Sequence, residues 1–174
     1  MATSASSTSP VATPDPLAAP TLRRRLAAML YEGLLLFGVM FGATAVFLLL
    51  RLIVPPLART GDVGLQVWGF LALGLYFVWF WRKRGQTLAM QTWRVRVVNA
   101  DGSRISLGRA IARYLLAWVW VAAAVGVIHL SGASRWTGAG VALACLLVWG
   151  ALAWFDPQRQ FLHDRLAGTR LVRD

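Results

Sequence analysis

Four long apolar runs alternate with short polar segments in which most of the arginines lie. The runs cover about 26–50, 64–81, 110–129 and 136–155. A mostly apolar stretch of about 18 residues or more reads as a transmembrane helix. At about 1.5 Å per residue, the first run makes a helix of roughly 37 Å, which crosses a hydrocarbon core of about 30 Å with some tilt. Arg51 and the Pro55-Pro56 pair stop it, because proline cannot continue the hydrogen-bonded ladder. Arg82-Lys83-Arg84 stops the second run. A tight Ser131-Gly132-Ala133-Ser134-Arg135 turn joins the third to the fourth, and Asp156-Pro157 closes the fourth. The pattern predicts an all-α transmembrane fold, a four-helix polytopic bundle.

The segments between the runs carry their own pattern. Residues 85–92 fit a short surface helix. Trp93 to Val98 then alternates polar and apolar positions as a strand does. Asn99-Ala100-Asp101-Gly102 is a turn signal, and Ser103 to Ser106 is expected to return as the second arm of a small hairpin. In the tail, a helix is expected to begin near Gln158 and to be capped by Gly168. Thr169 to Val172 offers a further strand for the hairpin. Residues 1–20 are Ala, Ser, Thr and Pro with the single acid Asp15, too polar to bury a core, and are expected to be disordered. The membrane domain is therefore expected over 22–172, with polar segments at 82–109 and 156–174.

Charge orients the spans. Fifteen of the 18 Lys and Arg residues fall in the amino-terminal flank, the middle segment and the tail; Arg51, Arg59 and Arg135 fall on the other side. Basic loops stay cytoplasmic, so both termini and the middle segment are expected inside a bacterial inner membrane. The net charge of +11 alone would suit a nucleic-acid binder, but its placement between apolar runs makes the bilayer the expected partner and nucleic acid not one. Composition agrees: 57% of residues are hydrophobic and 14% charged, against about 25% charged in a soluble domain. Most of the nine tryptophans lie in or near span ends, where an apolar ring with a polar N–H is favoured. Gly38 and Gly42, and Gly140 and Ala144, have the spacing of small residues that let helices approach; helix packing within the chain is the first reading and an oligomer contact the second. Cys145, the single cysteine, excludes an intramolecular disulfide and reads as a small buried hydrophobe.

Chemistry has few places to sit. Glu32 is the one acid inside a span, about 10 Å along the helix from Arg25 and on the same face. A charge there costs a few kcal/mol unless paired or wetted, so Glu32 is either a proton or cation site or a structural lock between helices. His163 and Asp164 are expected near the membrane on the inner side, in one polar cluster with Arg25, Glu32, Gln86 and Arg113 that holds the first helix, middle segment and tail together. His129 lies at the opposite border and reads as an interfacial residue. There is no HExxH, no cysteine pair, no phosphate-binding glycine loop and no Gly-x-Ser-x-Gly elbow. An enzyme is therefore the least favoured class, and neither cofactor nor metal is expected.

The arginine cluster before an acid in the first helix, the Gly85-Gln86-Thr87 motif, Arg96-Val97-Val98, Asp101-Gly102, His163-Asp164 and Ala167-Gly168-Thr169, in this order, resemble the RDD family of bacterial membrane proteins. The resemblance covers about Leu22 to Val172. It implies that Arg25 (or Arg24) is the family arginine, that Glu32 replaces the first-helix aspartate and that Asp164 is the second aspartate. It also implies transport of an undefined ligand. Two functions are thus expected to compete. One is movement of a cation or small solute with Glu32 in the pathway, in a homo-oligomer because four helices make a small unit. The other is a non-catalytic accessory protein whose cytoplasmic segments dock a membrane or cytoplasmic protein partner.

Overall fold

The computed structural model describes residues 19–132, 134–152 and 160–174. The chain forms α1 (Leu22–Ile53), α2 (Pro55–Ala58), α3 (Gly61–Arg84), α4 (Leu88–Thr92), β1 (Val95–Asn99), α5 (Leu107–Ala117), α6 (Val119–Ser131), α7 (Arg135–Ala151), α8 (Leu162–Leu166) and β2 (Thr169–Arg173). Among the described residues three helical stretches are long and apolar enough to cross a membrane: α1, α3 and the nearly continuous α5–α6. α7 is apolar but shorter, 17 residues or roughly 25 Å. The mostly helical membrane fold is as the pattern predicts; the last residues of the expected fourth span, 153–155, lie outside the described residues. The expected disordered stretch 1–20, the closure at Asp156-Pro157 and the helix start near Gln158 lie almost wholly outside the described residues.

Helix ends follow local chemistry. α1 stops at Ile53, and Pro55 opens the single turn of α2, where its missing N–H is not needed. α3 ends in Arg82, Lys83 and Arg84, cations that complement the carbonyl end of the helix dipole. Gly85 follows with φ +70°, and its N–H bonds Trp81 O at 2.9 Å. Ser106 caps α5 by accepting from Arg109 N, and Ser134 caps α7 by accepting from Thr137 N.

The helices pack in sequence, α1 on α3, α3 on α5 and α6 on α7. The close approaches are not at the expected small-residue pairs. A Cβ at Gly38, Gly42 or Gly140 would meet nothing within 4 Å. A Cβ on Gly69 would instead stand 2.9 Å from the Met40 methyl, one on Gly74 3.0 Å from the Tyr114 ring, and one on Gly138 3.5 Å from Ile128. Spacing of small residues says only that a close approach is allowed; bulky neighbours on the facing helix decide where it occurs. Cys145 likewise is half-buried on α7, not enclosed.

The best-buried cluster does not run down the bundle. Trp81, Met90, Val95, Val97, Ile105, Ala110, Tyr114 and Leu171 pack together where α3 ends and α5 begins, under α4 and the two strands. Much of the remaining helix surface is apolar and exposed, for example Leu34, Phe37 and Phe41 on α1, as lipid-facing helices permit because lipid tails solvate them.

The expected local hairpin is not what forms. β1 pairs antiparallel with β2 from the tail, Val95 opposite Arg173 and Asn99 opposite Thr169. Ser103 does return its carbonyl to Asn99 N at 2.9 Å, but the returning arm stops there. The Asn99 amide holds Ser103 Oγ and Arg104 O, each at 2.8 Å. Ile105 then turns into the core and Ser106 begins α5, which leaves the free edge of β1 to the tail.

Candidate functional site

α1 begins, α3 ends and α5 begins at one end of the molecule, beside the sheet, and all six sequence-selected residues lie there. They do not form one cluster. Five of them divide among three sets, each joining elements distant in sequence.

The first set is built on Glu32, two turns into the apolar part of α1. Its Oε1 accepts a hydrogen bond from the Tyr76 hydroxyl of α3 at 2.7 Å. Its Oε2 accepts from the Thr87 hydroxyl. Thr87 Oγ1 also accepts from Met90 N, so one side chain caps α4 and ties it to α1. No ion pair among the described residues reaches Glu32. The shared helical face of Arg25 and Glu32 therefore does not yield a salt bridge between them. Arg25 is buried nearer the start of the same helix, its Nε donating to Pro20 O at 3.1 Å.

The second set joins α5 to the tail. Arg113 donates from Nη1 to Asp164 Oδ1, and both side chains are buried. Arg113 Nη1 also lies 3.3 Å from Thr169 Oγ1, which in turn donates to Asp164 O at 3.1 Å. The guanidinium sits 4.7 Å from the centroid of the Trp81 ring, a cation–π contact that takes up its other face. His163 Nε2 lies 3.2 Å from Asp164 Oδ1. Its ring is within 7° of parallel to Phe161 and within 5° of parallel to Trp149 of α7. Burial pushes the His163 pKa down; the Asp164 carboxylate opposes this and Arg113 reinforces it. The imidazole is thus held neutral, and the Arg113–Asp164 pair balances its own charge.

The third set closes the sheet. Gln86 Nε2 donates to Val95 O at 3.0 Å and to Asp174 Oδ2 at 2.9 Å. Asp174 Oδ1 meets Arg96 at 2.6 Å on the surface. Gln160 brackets β2 by accepting from Leu171 N at 3.1 Å and donating to Leu171 O at 3.3 Å. Among the described residues no three His, Cys, Asp or Glu side chains converge to hold a metal ion.

Tyr76, Trp81 and Gln160 belong to these sets and were not singled out as site residues in the sequence. Thr87 had a signal, its place beside Gly85 and Gln86. A phenol in a run of aromatics such as Tyr76-Phe77-Val78-Trp79 has none, because nothing local tells a hydrogen-bonded tyrosine from an interfacial one.

The fold and these sets define a class: a membrane protein whose spans are gathered at one end by a cap of buried polar contacts and a two-stranded sheet. The profile of the RDD family matches residues 19–168, and the chain belongs to that family. No curated protein and no solved structure matches it.

Proposed function

We propose that the protein moves a small monovalent cation across the membrane in exchange for protons, with Glu32 as the group that carries one or the other. The observation behind this reading is the company Glu32 keeps. Asp164, which is fully buried, has its own arginine. Glu32 sits in a span with two neutral hydroxyls and no cationic partner among the described ion pairs. An uncompensated carboxylate at that depth is costly, so it takes up either a proton or a cation. The hydroxyls of Tyr76 and Thr87 accept as well as donate, so they can turn a lone pair to a bound cation. Carboxylate, phenol and threonine oxygens from three elements form a hard donor set suited to an alkali cation.

The basic end of the molecule faces the cytoplasm of a bacterial inner membrane in this reading, because fifteen of the eighteen Lys and Arg residues belong to the sequence segments on that side of the spans. A second reading, a non-catalytic accessory protein that docks a partner through its sheet, is favoured by the packing order. Among the described residues the main helix contacts run α1 to α3, α3 to α5 and α6 to α7, a row of neighbours. Transport accordingly calls for a homo-oligomer.

Cation–proton exchange in everted vesicles separates the two, with wild type and Glu32→Gln compared at matched expression. Exchange in wild type that disappears in the variant supports the transporter. No exchange above empty vesicles, across several alkali cations and pH values, moves the reading to the accessory protein.

A further inference from the structure

Next to the sheet, a polar cleft of about 430 Å³ opens at the end of α3. Five cationic side chains line it: Arg82, Lys83 and Arg84 from α3, Arg96 from β1 and Arg104 from the loop before α5. The helix dipole accounts for cations in the last turn of α3, but not for Arg96 and Arg104, which arrive from other elements. Asp174 answers Arg96. Among the described ion pairs no carboxylate answers Arg82, Lys83 or Arg104.

A second hollow of different character meets the cleft at two shared side chains. An apolar groove of about 600 Å³ runs along Leu75, Val78 and Trp79 of α3 and is walled by Leu107 at the start of α5. Arg82 and Lys83 border both hollows. Positions 75, 78, 79, 82 and 83 share one helix face, so the groove runs along α3 up to the two side chains that also border the cleft. Leu75 lies about 12 Å along the axis from Lys83, the depth of a headgroup and the upper part of an acyl chain. Leu75, Trp79 and Leu107 are exposed, and Lys83 Nζ sits 5.4 Å from the Trp79 ring centroid, at the border between the two environments.

We propose that this composite hollow is a binding site for one anionic glycerophospholipid, with its phosphate among Arg82, Lys83 and Arg104 and an acyl chain along Leu75, Val78 and Trp79. A soluble phosphate ester would use the cleft and leave the groove unfilled; a zwitterionic lipid would fill the groove and leave the cations unanswered. Only an anionic lipid satisfies both, and the site lies at the basic end of the spans, where such headgroups stand. The site is separate from Glu32 and does not depend on the transport reading.

The test is native mass spectrometry of the full chain released from nanodiscs of equal phosphatidylglycerol and phosphatidylcholine, with sn-glycerol 3-phosphate as soluble competitor. Wild type is expected to retain phosphatidylglycerol at least ~10-fold over phosphatidylcholine, about 1.4 kcal/mol. The triple variant Arg82→Gln, Lys83→Gln, Arg104→Gln is expected to lose that preference. A control that removes equal charge elsewhere on the same end (Arg23→Gln, Arg94→Gln, Arg173→Gln) is expected to keep it within about twofold, since diffuse surface charge is not the cause. Leu75→Trp, which fills the groove, is expected to reduce lipid retention while leaving the cleft intact. Equal retention of both lipids by wild type overturns the proposal. So does an equal loss in the charge control, and so does displacement by stoichiometric glycerol phosphate, which would assign the cleft to a free ester. The wild-type comparison and the competition decide the matter even where a variant does not fold.

Discussion

Replacing Asp164 by alanine removes the acceptor from a guanidinium that the fold has already taken out of water. Arg113 is 5% exposed and Asp164 fully buried. The lost contacts are the Arg113 ion pair and the contact with His163 Nε2. The Trp81 ring and the Thr169 hydroxyl remain near the guanidinium, but neither neutralises it. Breaking a buried pair from one side typically costs about 3–5 kcal/mol, because the surviving charge stays buried. Asp164→Ala should therefore lower the unfolding free energy by about 3–5 kcal/mol. Removing both charges with apolar side chains of similar volume, Arg113→Met with Asp164→Leu, should cost distinctly less than Asp164→Ala alone. The assay is equilibrium unfolding in mixed micelles by graded SDS, with tryptophan fluorescence as the signal. A single variant within about 0.5 kcal/mol of wild type would refute the buried-charge reasoning, since that is the range of a neutral surface change. So would a double variant worse than either single one.

Three further outcomes follow from the same contacts. His163 has a folded-state pKa held below 6.5 by burial, so its neutral form stabilises the fold above about pH 6.5 and that contribution is lost as pH falls through the lower folded value; unfolding midpoints from pH 8 to 5 should decline in wild type more than in His163→Asn, and parallel curves would count against it. Tyr76→Phe and Thr87→Val each leave one Glu32 oxygen without its donor and should each cost about 1–3 kcal/mol in the micelle unfolding assay, while Tyr31→Phe, on an exposed part of the same helix, should change little. Gly85→Ala should destabilise by about 1–3 kcal/mol, because the residue sits at φ +70° and a Cβ would stand 2.9 Å from Val97 O; a neutral result would mean the α3 terminus relaxes freely.

Helix existence and helix order were legible in the chain because each is a local quantity. A run of apolar residues forms a helix in lipid whatever its neighbours do, since every backbone group must be satisfied within the segment. Pro55, Gly85 and Ser106 end or begin helices through their own backbone or side-chain chemistry. The residues that meet at the basic end were also mostly legible, because polar groups beside apolar runs are few. Their pairing was not. Glu32 is joined to residues 44 and 55 positions away, and Arg113 to one 51 positions away. Arg25 looked like the partner of Glu32 because seven residues is nearly two turns, yet a shared face only permits a contact. The strand Val95–Asn99 carried its pattern openly, but its partner depended on whether residues 103–106 stayed extended. Ile105 entering the core and Ser106 capping α5 took that edge away and left it to the tail. Local preference thus decided what each segment is. Tertiary packing decided which carboxylate has an arginine and which has only hydroxyls, because the desolvation of a charge depends on every element that surrounds it.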